Sequence, residues 1–549
     1  MRPVPKLVLY YPLQCDPSRG LVASRHLLPL SLLAISGWPL RDGYEVEIID
    51  GNLYSQEEAH RRVREACEGA LLYATTGILG YAVTDGLLCT RAVKAALPDL
   101  PCLIGGWFAS TCPELNLETG LYDAVVLGQG EITFREVVAA LACGETLESV
   151  AGLALWHDGA LVRTAPRAVV GWEALLNFPW QLIDYSVYAE EQRKPGHEKT
   201  VEVCAPPPGF GPERPFTAIS YFGSFGCPLD CSFCCSPETS LRRWKSMPAE
   251  RMLDDVAELH ERWGFDVLHF HDANWGVDRS RTVAWAEGMR ERGLEFYYYT
   301  YMQSDSVNAL SAEALDLLAE TGLYTVLIGA ETGSEATMKS LHKTTRGDGN
   351  IEAARALDAR GISTYATYII GLPDEEAASM MATLDQCRRM AVACPYSVPA
   401  VWDYQPIPGA ALYAAALERG FVPPETLEGW GGFFDYRRDA TPGWVPPEVN
   451  RMRKLYNHFT SVASGHARGR TGLWERRAMR RLAHEAGFRR AWPMGRLEAR
   501  AFHLWSAFEN RLPTWLRARD GGIEKGWRTR QEAPAPEYAR REQGEELGT

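Results

Sequence analysis

The sequence predicts an α/β protein made of two successive βα arrays: an N-terminal doubly wound parallel sheet, then six βα repeats that suit a partial (β/α)6 barrel, and last a helical C-terminal region. Three observations carry this reading. Short apolar runs alternate with amphipathic stretches of helical length over residues 6–128. A Pro/Gly-rich stretch, APPPGFGPERP at 205–215, interrupts the pattern, which then restarts and continues to residue 404. From about residue 442 the alternation ends, and Arg and Trp interleave instead. With 549 residues the chain exceeds one ordinary core. The expected units are 1–150, a linker at 151–215, the second array at 216–440, a basic helical region at 441–530 and a disordered tail at 531–549.

In the first array, KLVLYYP (6–12) reads as a buried strand and residues 29–40 as a helix. EVEIID (45–50) is the second strand, and Ser55 caps the helix that follows, with Glu58 at the capping-box position. ALLYATT (70–76), PCLIGG (101–106) and DAVVLG (123–128) complete the set. A doubly wound sheet binds ligands at the carboxyl ends of its strands. Thr75, Thr76 and Gly77 stand there, as do Gly105, Gly106 and Trp107, and Gly128, Gln129, Gly130 and Glu131. Tight turns alone would account for most such glycines. Three glycine-bearing loops on one edge favour a binding crevice, and the lack of GxGxxG spacing argues against a dinucleotide. The linker holds a hairpin, LALWHDGALVRT, turning at Asp158-Gly159.

Strands of the second array are expected at 217–223, 267–272, 296–302, 324–331, 363–371 and 397–404. The repeats fit a partial barrel, with chemistry at its carboxyl-terminal face, or a second open sheet. In the third region Arg476, Arg477, Arg480, Arg481, Arg489 and Arg490 alternate with Trp474, Trp492, Trp505 and Trp515. Such helices form a solvated cap over a barrel or, as the second reading, lie on an anionic membrane surface, which would suit a lipid-like substrate.

Composition narrows the function classes. A 46% hydrophobic and 23% charged chain is an ordinary globular protein. The net charge of -13 argues against a nucleic-acid partner spread over the surface. The N-terminal MRPVPKLVLYYPL lacks the pattern of a secretory signal. The longest apolar stretch, 27–40, is broken by Pro29, Ser31, Ser36 and Pro39 and is shorter than the roughly 18–20 residues of a membrane span. A cytoplasmic protein is expected, in peripheral contact with a membrane if the basic helices bind one. The 13 cysteines, odd in number and mostly scattered, make a poor disulfide framework.

One cysteine cluster stands apart. GCPLDCSFC places Cys227, Cys231 and Cys234 in a loop after the first strand of the second array. Three thiolates can hold three irons of a cubane and leave the fourth open, whereas structural cysteine sites close all four positions. A zinc site or a chance cluster is the plain alternative. Cys235 breaks the spacing and reads as a neighbour.

Cys227-x3-Cys231-x2-Cys234 is the CxxxCxxC motif of the radical S-adenosylmethionine (SAM) superfamily, which the chain resembles over most of its length. Phe233 occupies the aromatic position before the third cysteine, which the resemblance places near the adenine of SAM. FHDANW (270–275), with Asp272, is similar to the family's acidic second-strand end. GAETG, with Gly329, Glu331 and Gly333, is similar to its GxExG segment, and YIIGLPDE, with Ile370 and Gly371, to its adenine-supporting stretch. The resemblance implies a [4Fe–4S] cluster, SAM, an external low-potential electron donor and a 5′-deoxyadenosyl radical that abstracts hydrogen from an unactivated carbon of a small-molecule or lipid-like substrate.

Residues 6–440 also resemble the branch with an N-terminal cobalamin-binding domain, which includes the anaerobic magnesium-protoporphyrin ester cyclases and many methyltransferases. PLSLLAISGWPLRDGYEVEIIDG, LIGGWFAST and DAVVLGQGEITFREVV carry that likeness. The DxHxxG motif of some cobalamin proteins is absent: the loop after the first strand reads Asp16-Pro-Ser-Arg-Gly20. Cobalamin would therefore sit base-off, without a protein imidazole. The branch implies cobalamin-dependent methylation first and radical cyclisation or carbon–carbon coupling second; a cofactor-binding sensor or scaffold is the reading from another class.

Overall fold

Strand order separates the two arrays. The computed structural model describes residues 4–19, 26–194, 206–210, 214–433 and 441–463. The first sheet contains β1 (Lys6–Tyr11), β2 (Glu45–Asp50), β3 (Leu72–Thr76), β4 (Cys102–Gly105), β5 (Ala124–Val126), β6 (Leu153–His157) and β7 (Ala160–Arg163). Its order is β2-β1-β3-β4-β5-β6-β7, parallel from β2 through β5. Every residue of β3 is buried, as a strand covered on both faces requires. Helices Leu30–Arg41 and Glu131–Cys143 pack together, and Gln56–Cys67 packs with Tyr81–Ala96. Winding reverses between β1 and β3, and that reversal opens a crevice at their carboxyl ends.

The hairpin expected within the linker belongs to this sheet. β6 pairs antiparallel with β5, with Val125 opposite Ala154, and β7 forms the outer edge. Leu153, Ala154 and Leu155 are buried, and no core of their own is available to them, so they cover the open side of β5. Asp158 (φ 49°) and Gly159 (φ 76°) make the left-handed turn that a two-residue hairpin requires.

The second sheet is formed by β8 (Ala218–Tyr221), β11 (Val267–Phe270), β12 (Tyr297–Met302), β13 (Leu323–Glu331), β14 (Ser363–Ile370) and β15 (Ser397–Asp403), while β9 (Ser224–Gly226) and β10 (Trp244–Ser246) form a separate antiparallel ribbon. All six strands are parallel and neighbour one another in chain order. A doubly wound sheet would reverse; this one winds in one direction and stops, as a partial barrel does. Its two open edges are covered. Ser220 N donates to His26 O (3.0 Å) and Leu28 N to Ser220 Oγ (2.9 Å), so the segment after β1 lies along β8. On the far side Asn457, in the helix Pro447–Ala463, accepts from Val401 N and donates to Val401 O, both at 2.8 Å. The side-chain amide thus substitutes for a missing strand.

All described residues fall in one compact unit. No described helix is long and apolar enough to cross a membrane. The basic, Trp-bearing stretch from Trp474 onward and the expected tail at 531–549 lie outside the described residues.

Candidate active site

The cysteines sit in an arm held at its base by the β9–β10 ribbon. Gly226 is opposite Trp244, has φ 76°, and a Cβ there would stand 2.2 Å from Arg243 O. Only glycine fits both the conformation and the approach. Gly223 and Ser224, which lead into the ribbon, donate to Asp272 through Gly223 N (3.0 Å) and Ser224 Oγ. Arg281 Nη2 lies 3.4 Å from Asp272 Oδ1, while its Nε donates to Met247 O (3.0 Å) beyond β10. Asp272 therefore faces into the fold, and with Arg281 it clamps both ends of the arm.

Cys227 and Cys231 are buried and Cys234 is half-buried. Burial pushes the Cys231 thiol up to about 12 and raises Cys227 and Cys234 as well; the Lys343 charge opposes the rise at all three. Ser236 N donates to Cys234 Sγ (3.4 Å). Buried thiols of this kind lose their protons when metal binds. In a cubane each of the three thiolates would take its own iron.

Glu331 is the last residue of β13. β13 bulges between Gly329 and Glu331, and Glu331 takes φ 61°. A Cβ on Gly329 would stand 2.3 Å from Glu331 Oε1, so the glycine makes room for the carboxylate. Burial raises the Glu331 carboxyl, and Lys343 opposes it, with Nζ 3.7 Å from Oε1. Lys343 also donates to Gln303 Oε1. Sequence reasoning missed Lys343, which sits in the unremarkable stretch SLHKTT.

Several expected residues are placed differently. Phe233 packs against the buried cluster of Leu341, Leu372, Tyr404 and Ala416, and Ile369 packs against the same cluster. Tyr368, two residues before Ile370 on the same strand face, reaches Met390 on the helix side, so Ile370 faces the helices and Ile369 the opposite face. A Cβ on Gly333 would meet Ala382 O at 2.6 Å, and one on Gly371 (φ 83°) would meet Val445 Cγ2 at 2.6 Å. Both glycines serve close packing, Gly333 against the helix Ala377–Ala393 and Gly371 against the segment before the helix Pro447–Ala463. Tyr298 packs outward on Phe270 and Trp285.

The lumen face of β11 and β12 carries His269, His271, Tyr299 and Tyr301. His269 stacks on Tyr299 (centroids 4.0 Å apart), and Tyr299 Oη lies 3.1 Å from His26 Nε2. His269 is fully buried and neither ring nitrogen has a protein partner. His271 is exposed to solvent.

At the crevice of the first sheet, Gly77 N donates to Gly105 O (2.7 Å). Gly106 has φ 96°, and a Cβ there would stand 2.8 Å from Thr76 Oγ1 and 2.9 Å from Gly77 O. Thr75 Oγ1 donates to Tyr10 O (3.1 Å). Trp107 opens the helix Trp107–Thr111. Gly128 N donates to Ser110 Oγ (3.0 Å), and Gly130 precedes the helix Glu131–Cys143. Burial raises the Glu131 carboxyl, opposed by its own backbone N–H. Gln129 is occupied elsewhere, accepting from Val170 N (2.8 Å). The imidazoles described in this part of the chain are engaged: His60 with Asp85 (2.9 Å), His157 with Glu148 (2.9 Å), and His26 with Tyr299.

Residues 221–387, spanning the arm and β11 through β14, match the Radical SAM superfamily. The chain carries a radical SAM domain. It is a radical SAM enzyme, with a [4Fe–4S] cluster and SAM as that domain's cofactors, and it is homologous to proteins named as methyltransferases and cyclases. An uncharacterised methyltransferase of Pyrococcus horikoshii is 24% identical over 388 residues, covering 68% of this chain and 78% of that protein. The anaerobic magnesium-protoporphyrin IX monomethyl ester cyclase of Synechocystis sp. is 24% identical over 373 residues, covering 66% and 69%. In fold, the radical SAM domain and the sheet before it are similar to the radical SAM methyltransferase TsrM of Kitasatospora setae, solved with cobalamin and a [4Fe–4S] cluster bound: TM-score 0.61, 16% identity, 88% of this chain and 99% of that one.

Proposed function

We propose that this radical SAM enzyme is a cobalamin-dependent methyltransferase acting on an unactivated carbon. The observation that carries the reading is the contact between the two candidate sites. A Cβ on Gly128 would stand 3.2 Å from Thr239 O, at the end of the cysteine arm. A Cβ on Gly409 would touch Thr111 Cγ2 at 2.8 Å and Glu238 Cγ at 3.7 Å. The carboxyl edge of the first sheet therefore abuts the mouth of the barrel, and a group held there is presented to the lumen.

When bound, the cluster with SAM supplies hydrogen-atom abstraction, and a corrinoid supplies a transferable methyl group. Cys227, Cys231 and Cys234 would hold the cluster, while Glu331, Gly329 and Phe233 would receive SAM. Gly77, Gly106 and Gly128 would line the corrinoid crevice. With the nearby imidazoles already engaged, the crevice favours base-off binding. The lumen presents imidazole nitrogens and tyrosine hydroxyls, which supports a polar small molecule over a lipid-like substrate. The barrel walls orient it and keep water out. An external low-potential donor supplies the electron.

Anaerobic reconstitution with iron, sulfide and cobalamin, followed by SAM turnover under a low-potential reductant, tests the reading. Bound cobalamin with both 5′-deoxyadenosine and S-adenosylhomocysteine is the expected result. Deoxyadenosine without bound cobalamin would sink methylation and favour the second reading, cyclisation or coupling, which the relative named as a cyclase supports. Its product would lack the mass of an added CH2.

A further inference from the structure

We propose that Lys343 is a positioning residue for the iron–sulfur cluster, a buried ammonium built against the cysteine arm that balances the arm's negative charge and favours the reduced cluster. The inference rests on the radical SAM assignment. Three thiolates and the Glu331 carboxylate bring negative charge into a region closed to water, where charges act strongly. The Lys343 side chain is 2% exposed, and Gln303 and Glu331 compensate its burial.

The backbone delivers it. The helix Glu335–Ser340 ends, and His342 takes φ 57°, a left-handed conformation costly for a residue with a Cβ. That turn is tied to the arm at several points. Ser232 N donates to Leu341 O (3.3 Å), and Ser232 Oγ to Ser340 O (3.1 Å). His342 Nδ1 lies 3.1 Å from Asp230 O and 3.5 Å from its carboxylate. The residues just before Lys343 are thus pinned to the residues flanking Cys231. The strained turn swings His342 outward and Lys343 inward.

Reduction takes one electron from an external donor such as dithionite and adds one negative charge to the cluster, converting [4Fe–4S]2+ to [4Fe–4S]1+. A nearby cation stabilises that product. The test is a redox titration of reconstituted full-length protein without SAM, followed by electron paramagnetic resonance, for wild type, Lys343→Met and Lys343→Arg. Lys343→Met should hold the same iron but have a more negative midpoint potential, by at least a tenfold disfavouring of the reduced form, or about 59 mV for one electron. Lys343→Arg should recover most of that shift. An unchanged potential in Lys343→Met at full iron content overturns the proposal. If Lys343→Met fails to hold iron, iron content with Lys343→Gln added decides: retention by Arg alone supports a charge role, and loss in all three variants overturns it. Failure of the wild type to take up a cluster would instead refute the radical SAM assignment itself.

Discussion

Arg281 Nη2 lies 3.4 Å from Asp272 Oδ1, and both side chains are sealed from solvent. The pair joins the end of β11 to the two ends of the cysteine arm. Removing one partner leaves the other charge buried, which typically costs about 3–5 kcal/mol. Asp272→Asn should therefore lower the thermal midpoint and reduce iron retained after reconstitution, since Gly223 and Ser224 lose the charge they bond to. Full iron content at an unchanged midpoint would show that the arm is held by other means.

The thiols should separate cleanly. Cys227→Ser, Cys231→Ser and Cys234→Ser should each abolish the absorbance of a [4Fe–4S] cluster near the visible blue and all SAM cleavage. Cys235→Ser should keep both. Cys235 lies at the start of the short helix Ser236–Thr239, and burial pushes its thiol up to about 12 with no metal role required. Loss of the cluster in Cys235→Ser would reassign the ligand set.

What could be read from the sequence follows the range of the forces involved. The cysteine spacing and the hairpin turn at Asp158-Gly159 are local, and both can be seen in consecutive residues. Which strand the hairpin joins is a matter of distant packing, so β6 and β7 read as linker. The phase of a strand end is similarly weak in sequence: two isoleucines in succession give no clue that Ile369 faces the lumen and Ile370 the helices. The pairing of Asp272 is equally distant, because its buried partner Arg281 belongs to the following helix. Lys343 was invisible because its position depends on a strained turn at His342, and no residue preference announces one.

Glu375 gives a pH prediction. Its Oε2 accepts from Gly371 N (2.8 Å) and Leu372 N (3.3 Å), its Oε1 is buried without a protein partner, and burial raises the carboxyl from 4.5 to about 7. A raised folded value means that the neutral acid is the form the fold prefers. Its contribution is present below about 4.5 and is lost as pH rises towards 7. Glu375→Gln keeps an oxygen for the two backbone N–H groups without the charge. The cofactor-free variant should be more stable than wild type at pH 8, by on the order of 1–3 kcal/mol after allowing for its partial exposure. The gain should vanish near pH 5. An equal difference in denaturant midpoint at both pH values would show that the carboxyl titrates normally.

Gly106 tests the crevice of the first sheet apart from the cluster. A side chain there meets Thr76 Oγ1, at the end of β3, at 2.8 Å and the backbone oxygen of Gly77, the first residue of the loop that follows, at 2.9 Å. Gly106→Val must push that loop away or project into the crevice. Gly43 is a control for backbone strain: its φ of 95° is close to the 96° of Gly106, yet nothing lies within 4 Å of a Cβ there. Gly106→Val should retain cobalamin at least tenfold less well than wild type in a gel-filtration absorbance assay, with its iron content unchanged. Gly43→Val should retain it as wild type does. Equal retention by both variants would mean that the crevice at β3 and β4 does not hold the corrinoid, and the first sheet would then be a scaffold for the barrel.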